Sequence, residues 1–514
     1  MSARRLASPL LALATAGALA ACSGGGGGPT SAQLPLPGHP GTTAAATVTI
    51  AGVGDSLTAG FQSGGISGQA STAPASLPGY GAVFAPGATQ ENGFFALLWE
   101  QANGAAPATI ANGPTSPLPL FIAPGLNDLL AETQSGIPVG INPTPAGASC
   151  NATATAAGSF GSALSLRVSP TVTPYDVAIS GQTLHEALAM VGPISTCGAV
   201  PSSLAGVNAL VGGESENFYP TLATFGNGVT QVSAAASLHA KFATVLLGEN
   251  DLLKPALSGG AAPVTSPASF QADTLSIVTQ LQGAGSKVLL ANLPNPLYAA
   301  TFIPQPAYAA ELTAFFTAAL EGQGVPAQTA QALAAQYATT YANAEIAQTG
   351  LGPNGYFTIT AAFETLAAFA QQAAPPTLSP AGDYVSDALA EQTTQLNTAY
   401  NAAISAVAKQ TGAALVDLVS AFAAAEGGGP YQVAPGDYVT TTYGGGFYSL
   451  DGLHPSNTGY AVLANVFIAT MNQAYGTSVP AVNVAAIYQT DPFRLSASQF
   501  RALAANAARR AVAH

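Results

Sequence analysis

The 514 residues are enough for one large domain or two, and 48% of them are hydrophobic, ample for a large core. Only 7% are charged and the formal net charge is −13, so a nucleic-acid binder is excluded, since it needs a clustered basic face and the basic residues are scattered before the last twenty positions. A polytopic membrane protein is excluded as well. Beyond the N-terminus the apolar residues are mostly Ala broken by Gly, Pro, Ser, Thr or Gln, with no run of about 20 that would span a bilayer.

In chain order, the first element has the layout of a secretory signal: Arg4 and Arg5 form a positive region and Leu6 to Ala20 a short apolar core. Leu19-Ala20-Ala21-Cys22 follows and resembles a bacterial lipobox. The resemblance implies cleavage before Cys22, a lipid on its thiol, and a location exported and anchored to a membrane, on the periplasmic face or the cell surface. Residues 1–21 are then signal peptide, and losing Arg4 and Arg5 leaves the mature chain near −15. Residues 22–46, with Gly24 to Gly28 and a Pro/Thr/Ala stretch, read as a flexible tether.

The globular domain is expected over 47–490. It opens with Val48–Val53, an apolar, β-branched strand that runs into Gly54-Asp55-Ser56-Leu57. Gly54 permits close backbone approach, and Asp55-Ser56 can start a helix whose N-terminal N–H groups favour negative charge. That suits a serine that attacks a carbonyl, although a plain helix N-cap would read the same. Ser56 does not sit in a Gly-x-Ser-x-Gly elbow, because position 58 is Thr. The tetrapeptide is similar to block I of the GDSL/SGNH hydrolases, which implies that Ser56 is the nucleophile.

Residues 63–171, rich in Gly and Pro, read as an insertion. Cys150 and Cys197 are an even pair in an oxidising compartment, and a disulfide is the default pairing, with two buried free thiols as the alternative. Between them Tyr175–Ser180 reads as a strand meeting Gly181, followed by a helix through Met190. His185-Glu186 has Ala189 where a zincin helix needs its second His, the histidines show no ligand spacing, and His239 reads as a helix-surface residue. No metal or other cofactor is expected. Thr244–Leu247 is another apolar strand, ending in Gly248-Glu249-Asn250-Asp251. A tetrahedral oxyanion needs preorganised donors, and a Gly N–H and an Asn amide carry no competing charge. Gly181 and Asn250 match the Gly of block II and the Asn of the block III Gly-x-Asn-Asp of the same family. With the Ser56 N–H they would form its oxyanion hole. Glu249 is a departure, because it places a carboxylate beside that donor.

Val288–Leu293 and Ala414–Leu418 are the remaining apolar strands. Between them, residues 295–380 read as a second insertion in which Phe315, Phe316, Tyr337, Tyr341, Phe363 and Phe369 lie in helical segments, packing on the core or forming a substrate lid. Tyr448 to Ser456 contains Asp451 and His454, and a helix is predicted from Ser456 to Asn472. A serine needs an imidazole base, and the imidazole needs an acceptor on its other nitrogen. Asp451-x-x-His454 is similar to block V of the family, with Asp and His as triad partners. Arg494, Arg501, Arg509 and Arg510 share a last basic helix over 491–514 that reads as a solvated face or a contact with anionic lipid.

The resemblance spans about Thr47 to Ala474 and implies a flavodoxin-like three-layer α/β/α sandwich with a parallel central sheet, the SGNH hydrolase fold, here with large insertions. Strands alternating with helical stretches point to the same class. The implied activity is hydrolysis of carboxylic esters through an acyl-enzyme, on an acyl lipid, a short acyl ester or an acetylated glycan. The competing reading is a catalytically inactive or carbohydrate-binding surface lipoprotein that retains the fold.

Overall fold

The computed structural model describes residues 48–62, 66–67, 90–104, 115–116, 121–123, 166–167, 173–191, 221–222, 224–226, 228–422, 431–449, 451–491 and 493–494. Cys22, Cys150, Cys197 and nearly all of the basic C-terminal stretch lie outside the described residues. By its contacts the chain divides into Met1–Ala46 and Thr47–His514, and every described residue falls in the second unit.

Four strands form the central sheet: β1 (Ile50–Gly54), β2 (Phe242–Leu246), β3 (Lys287–Ala291) and β4 (Ala414–Val416), hydrogen-bonded in that order. All pairs are parallel, with Ile50 opposite Phe242 and Gly54 opposite Leu246. Every residue of β1 and β2 is buried. A parallel sheet covered on both faces requires side chains that tolerate burial on either side, and this is why these strands read as unbroken apolar runs.

The segment expected as a strand at Tyr175–Ser180 is extended alongside β1 but is not a regular strand. Gly52 N donates to Tyr175 O (2.8 Å), Val177 N to Gly52 O (3.0 Å) and Ile179 N to Gly54 O (3.1 Å), with a single bridge between Gly52 and Asp176. Asp176 Oδ1 accepts from Ala178 N at 3.0 Å, which satisfies the N–H that faces away from β1, between the bonded Val177 and Ile179. With this segment counted beside β1, the order across the sheet is 2-1-3-4-5 in chain order, that of a flavodoxin-like fold.

Helices cover both faces. On one side α4 (Pro267–Gly283) and α8 (Asp387–Thr411) pack together, with Phe270 stacked on Tyr400 at 4.0 Å. On the other, α2 (Phe94–Asn103) packs on α9 (Asn457–Tyr475), and Phe94 stacks on Phe467 at 4.6 Å. Burying one such ring stabilises by about 2–3 kcal/mol. Helix α9 begins where the sequence puts it, with Ser456 as N-cap accepting from Gly459 N at 3.1 Å, and extends three residues past the predicted end at Asn472.

Between β3 and β4 lies a helical lobe. It comprises α5 (Gln305–Glu321), α6 (Ala327–Thr349), α7 (Ile359–Ala370) and a small antiparallel sheet of Phe302–Pro304, Tyr356–Thr358 and Tyr384–Val385. The insertion expected to end at 380 thus runs to Val385, because its last strand closes that sheet. Tyr308, Phe315, Phe316, Tyr341 and Phe363 form an apolar cluster separate from the main core. Phe316 stacks on Phe369 at 4.0 Å and Tyr308 on Phe357 at 3.9 Å. The aromatic rings of the insertion therefore pack on one another and give the lobe a core of its own. Tyr337 is 46% exposed and touches Phe369 from outside.

Candidate active site

The carboxyl ends of β1 and β2 deliver two neighbouring turns to one edge of the sheet, on the side where open parallel sheets bind ligands. A Cβ on Gly54 would lie 2.0 Å from Thr58 Oγ1 and 2.7 Å from Leu246 O, so no side chain fits there without moving backbone. This close approach lets the chain turn at once into the short helix α1 (Ser56–Ala59). Asp55 is its N-cap, with Oδ1 accepting from Leu57 N at 3.0 Å. Ser56 is its first residue, 6% exposed. After β2, Gly248 at φ 124 lies against the Phe270 ring and starts α3 (Glu249–Leu257).

The third turn precedes α9. Asp451 Oδ2 and His454 Nδ1 are 2.8 Å apart, and Asp451 Oδ1 accepts from the N–H groups of Leu453 and His454, both at 2.9 Å. Ser449 N donates to His454 O at 2.8 Å and closes the loop. Both ring and carboxylate are buried, and the His454 ring lies 5.3 Å from that of Phe61. Burial alone would raise the Asp451 pKa; the charge and hydrogen bond of His454, with the two N–H donors, outweigh it and hold the carboxyl below its usual range. With the carboxylate fixing a proton on Nδ1, Nε2 is the basic nitrogen. Gly452 at φ 68 sits against Thr301, whose N–H donates to Gly452 O at 2.8 Å. The base of the lobe thus braces the loop that carries His454.

Asn250 Nδ2 donates to Asp55 Oδ2 (3.0 Å) and to Gln182 O (3.1 Å). The amide is thereby fixed next to the Ser56 turn, but both its protons already have acceptors, so an oxyanion would have to share one of them. Gly181 turns the chain at φ 75, immediately before Gln182. Asp251 Oδ2 accepts from Leu184 N (2.8 Å) and Oδ1 from Thr265 Oγ1 (2.6 Å), which ties the turn after β2 to the helix following Gly181.

Ser56, Asn250 and His454 line one cleft, together with Glu249 and mostly apolar residues such as Leu253, Pro294, Phe422 and Phe447. Asp451 stands behind His454, and neither it nor Gly181 lines the cleft. Burial pushes the Asp55 carboxyl up to about 6 against the pull of Leu57 N–H, the Glu249 side chain and His454. Burial and the Asp55 charge push Glu249 well above the usual carboxylate range. The carboxyl that the sequence placed beside the oxyanion donor is thereby biased toward its neutral form and shares a hydrogen bond with Asp55.

Three site neighbours were not singled out in the sequence. Phe61 covers the His454 ring, and its carbonyl accepts from Tyr460 Oη at 2.7 Å. Asp491 is buried and accepts from Thr458 N (2.7 Å), which secures the start of α9 just after His454. The packing of this domain therefore continues past residue 490. Nothing local marks Asp491, which lies 33 residues from its partner.

The other candidate residues are elsewhere. His185 Nδ1 lies 3.0 Å from Asp273 at the surface. His239, expected on a helix face, instead follows a helix end at φ 47, with Nδ1 3.1 Å from Ala284 O. Arg494 lies over the Tyr488 ring at 4.9 Å. Among the described residues, no group of three or more His, Cys, Asp or Glu is arranged to hold a metal ion, and no helix is long and apolar enough to cross a membrane.

No curated protein and no solved structure gives a significant match to the chain. The GDSL-like Lipase/Acylhydrolase family matches over residues 197–462, just over half of the sequence. That stretch contains Asn250, Asp451 and His454, while Ser56 and Gly181 precede it. With the parallel sheet and the flanking helices, the match fixes the affiliation: the chain belongs to the GDSL-like lipase/acylhydrolase family.

Proposed function

We propose that this protein is an exported serine esterase or lipase that hydrolyses carboxylic esters through an acyl-enzyme on Ser56. Ser56 Oγ attacks the ester carbonyl and passes its proton to His454 Nε2. Asp451 orients the ring and stabilises the imidazolium. The Ser56 N–H, the Gly181 N–H and the Asn250 amide stabilise the oxyanion, Asn250 by sharing a proton now directed to Asp55. His454 then protonates the leaving alcohol, and a water molecule deprotonated by His454 releases the acid. The single observation that carries this reading is the buried Asp451–His454 pair, 2.8 Å apart, on a cleft that Ser56 also lines.

The proposal extends to the N-terminus and the cysteines. Cys22 receives the lipid that holds the enzyme at a membrane, and Cys150 pairs with Cys197. The apolar lining of the cleft favours an acyl chain over an acetylated glycan and weighs against a carbohydrate-binding module.

Hydrolysis of p-nitrophenyl esters from acetate to palmitate by the mature protein and its Ser56→Ala variant tests the reading. The expected result is activity that vanishes in a folded Ser56→Ala variant. Activity that survives the substitution would overturn it.

A further inference from the structure

Ser56 opens α1 and His454 precedes α9, and proton transfer between them requires their relative position to be fixed to within a fraction of an ångström. Asp451 orients the His454 ring but does not set its distance from Ser56. The residues directly after α1 reach across to α9. Gly60 closes α1 at φ 82 with its N–H on Ser56 O, and Phe61 N donates to the same carbonyl at 3.0 Å, so Phe61 and Gln62 are tied to the nucleophile turn. Gln62 Nε2 donates to Asn457 Oδ1 at 2.7 Å, and Tyr460 Oη donates to Phe61 O at 2.7 Å. Asn457 is the first residue of α9 and Tyr460 lies one turn on, so both bonds end on the helix that His454 leads into. The partners of the first bond are 395 residues apart in sequence. Phe61, Gln62, Asn457 and Tyr460 are all buried, and the Phe61 ring also meets that of His454. The start of α2 abuts the same turn closely: a Cβ on Gly93 would lie 2.9 Å from Gly60 Cα. None of the four residues lines the cleft, so their side chains hold no substrate. A buried amide that loses its partner is left unpaired rather than resolvated, so the bond between Gln62 and Asn457 favours a single geometry.

We infer that Gln62 is a positioning residue: its hydrogen bond to Asn457 ties the Ser56 turn to the start of α9 and sets the separation across which the Ser56 proton passes to His454. The inference rests on the ester hydrolysis proposed above.

The experiment measures kcat and KM for p-nitrophenyl butyrate, the rate of Ser56 labelling by a fluorophosphonate, and Tm. The proteins are the unaltered mature chain, Gln62→Met, Asn457→Leu, the double variant and Asn457→Asp. Gln62→Met keeps the length of the side chain and loses the bond. It is expected to lower kcat and the labelling rate together by about ten- to a hundred-fold, the scale of a misplaced reacting group, with KM changed by less than about two-fold. Asn457→Leu gives the same loss, and the double variant is no worse than either alone, because each removes the same bond. Asn457→Asp still accepts from Gln62, at a helix N-terminus that favours a carboxylate, and retains most of kcat. The tie from Tyr460 remains in every variant, so all are expected to fold, which Tm checks; should Gln62→Met not fold, Asn457→Leu against Asn457→Asp makes the same comparison. An unchanged kcat in the folded bond-breaking variants, a loss confined to KM, an equal loss in Asn457→Asp, or losses that multiply in the double variant would each overturn the inference while leaving ester hydrolysis intact. Absence of hydrolysis and of Ser56 labelling in the unaltered protein would instead overturn both readings.

Discussion

The parallel frame and the lobe inserted between β3 and β4 both bury carboxyl groups and raise the pKa of several, but only the frame holds a fully buried one below its usual range. In the frame, Asp451 meets the His454 ring and two backbone N–H groups, so its charge is retained although it is buried. In the lobe, Glu345 is completely buried. Its Oε1 accepts from Thr365 Oγ1 at 2.7 Å and Tyr308 also hydrogen-bonds the carboxyl, yet burial outweighs both hydroxyls and pushes its pKa up to about 7. Glu364 is likewise pushed up to about 7, by burial and the nearby Asp383. A buried charge is held only where donors converge on it. The frame brings a histidine and two N–H groups to one carboxylate, behind the imidazole, whereas the lobe offers Glu345 only two hydroxyls. This difference separates a region arranged for proton transfer from one arranged for packing, with Thr301 joining the two at Gly452.

Four substitutions break or sharpen that comparison. Ser56→Ala is expected to lower kcat for ester hydrolysis by at least about ten-thousand-fold, with Tm nearly unchanged. Steady-state kinetics and a thermal melt on one preparation check both. Asp451→Asn is expected to cost about a thousand- to ten-thousand-fold in kcat, because the amide favours the wrong tautomer of His454. The stability that Asp451 contributes is present above its unfolded pKa near 3.8 and is lost as pH falls below it, since its folded pKa is the lower one. Melts between pH 2 and 5 should therefore converge for the two proteins at the acid end.

In the lobe the expected losses are of stability. Phe315→Ala removes a fully buried ring from the aromatic cluster and should cost about 3–5 kcal/mol, measured by urea unfolding. The smallest effect is that of Glu345→Gln. Because the folded pKa of Glu345 lies above the unfolded one, the stability linked to its proton is complete below about 4.5 and is lost as pH rises through about 7. The loss is roughly 3 kcal/mol at most. Glu345→Gln should accordingly be more stable than the unaltered protein at pH 8, with a flatter profile between those values.

The two regions also differ in how much of them can be read from the sequence. The frame's strands announced themselves because burial on both faces forces continuous apolar runs, as in Ile50–Gly54 and Phe242–Leu246. Ser56, Asn250 and the Asp451–His454 turn were legible because each follows such a strand or precedes a capped helix in a short, ordered motif. The apolar run after Tyr175 reads as a strand, and it does lie hydrogen-bonded along β1, but as the outermost segment it pairs on one side only, where Asp176 caps the outward Ala178 N–H. Glu249 is visible in the sequence, but its raised pKa comes from burial and then from Asp55, nearly two hundred residues away, and neither has a local signal. For the lobe, the aromatic content signalled helices but not their partners. Whether Phe316 meets the main core or Phe369 is decided by how α5 folds back on α7. Asp491 had no local signal, since its role exists only through contact with Thr458.

The most direct test of the account is covalent. A fluorophosphonate attacks only a serine activated by a base beside an oxyanion site. Peptide mass spectrometry of the labelled mature protein should find a single adduct, on Ser56, which disappears in Ser56→Ala and forms far more slowly in Asp451→Asn. An adduct on a different serine, or none on Ser56 in a folded protein, would contradict the central claim.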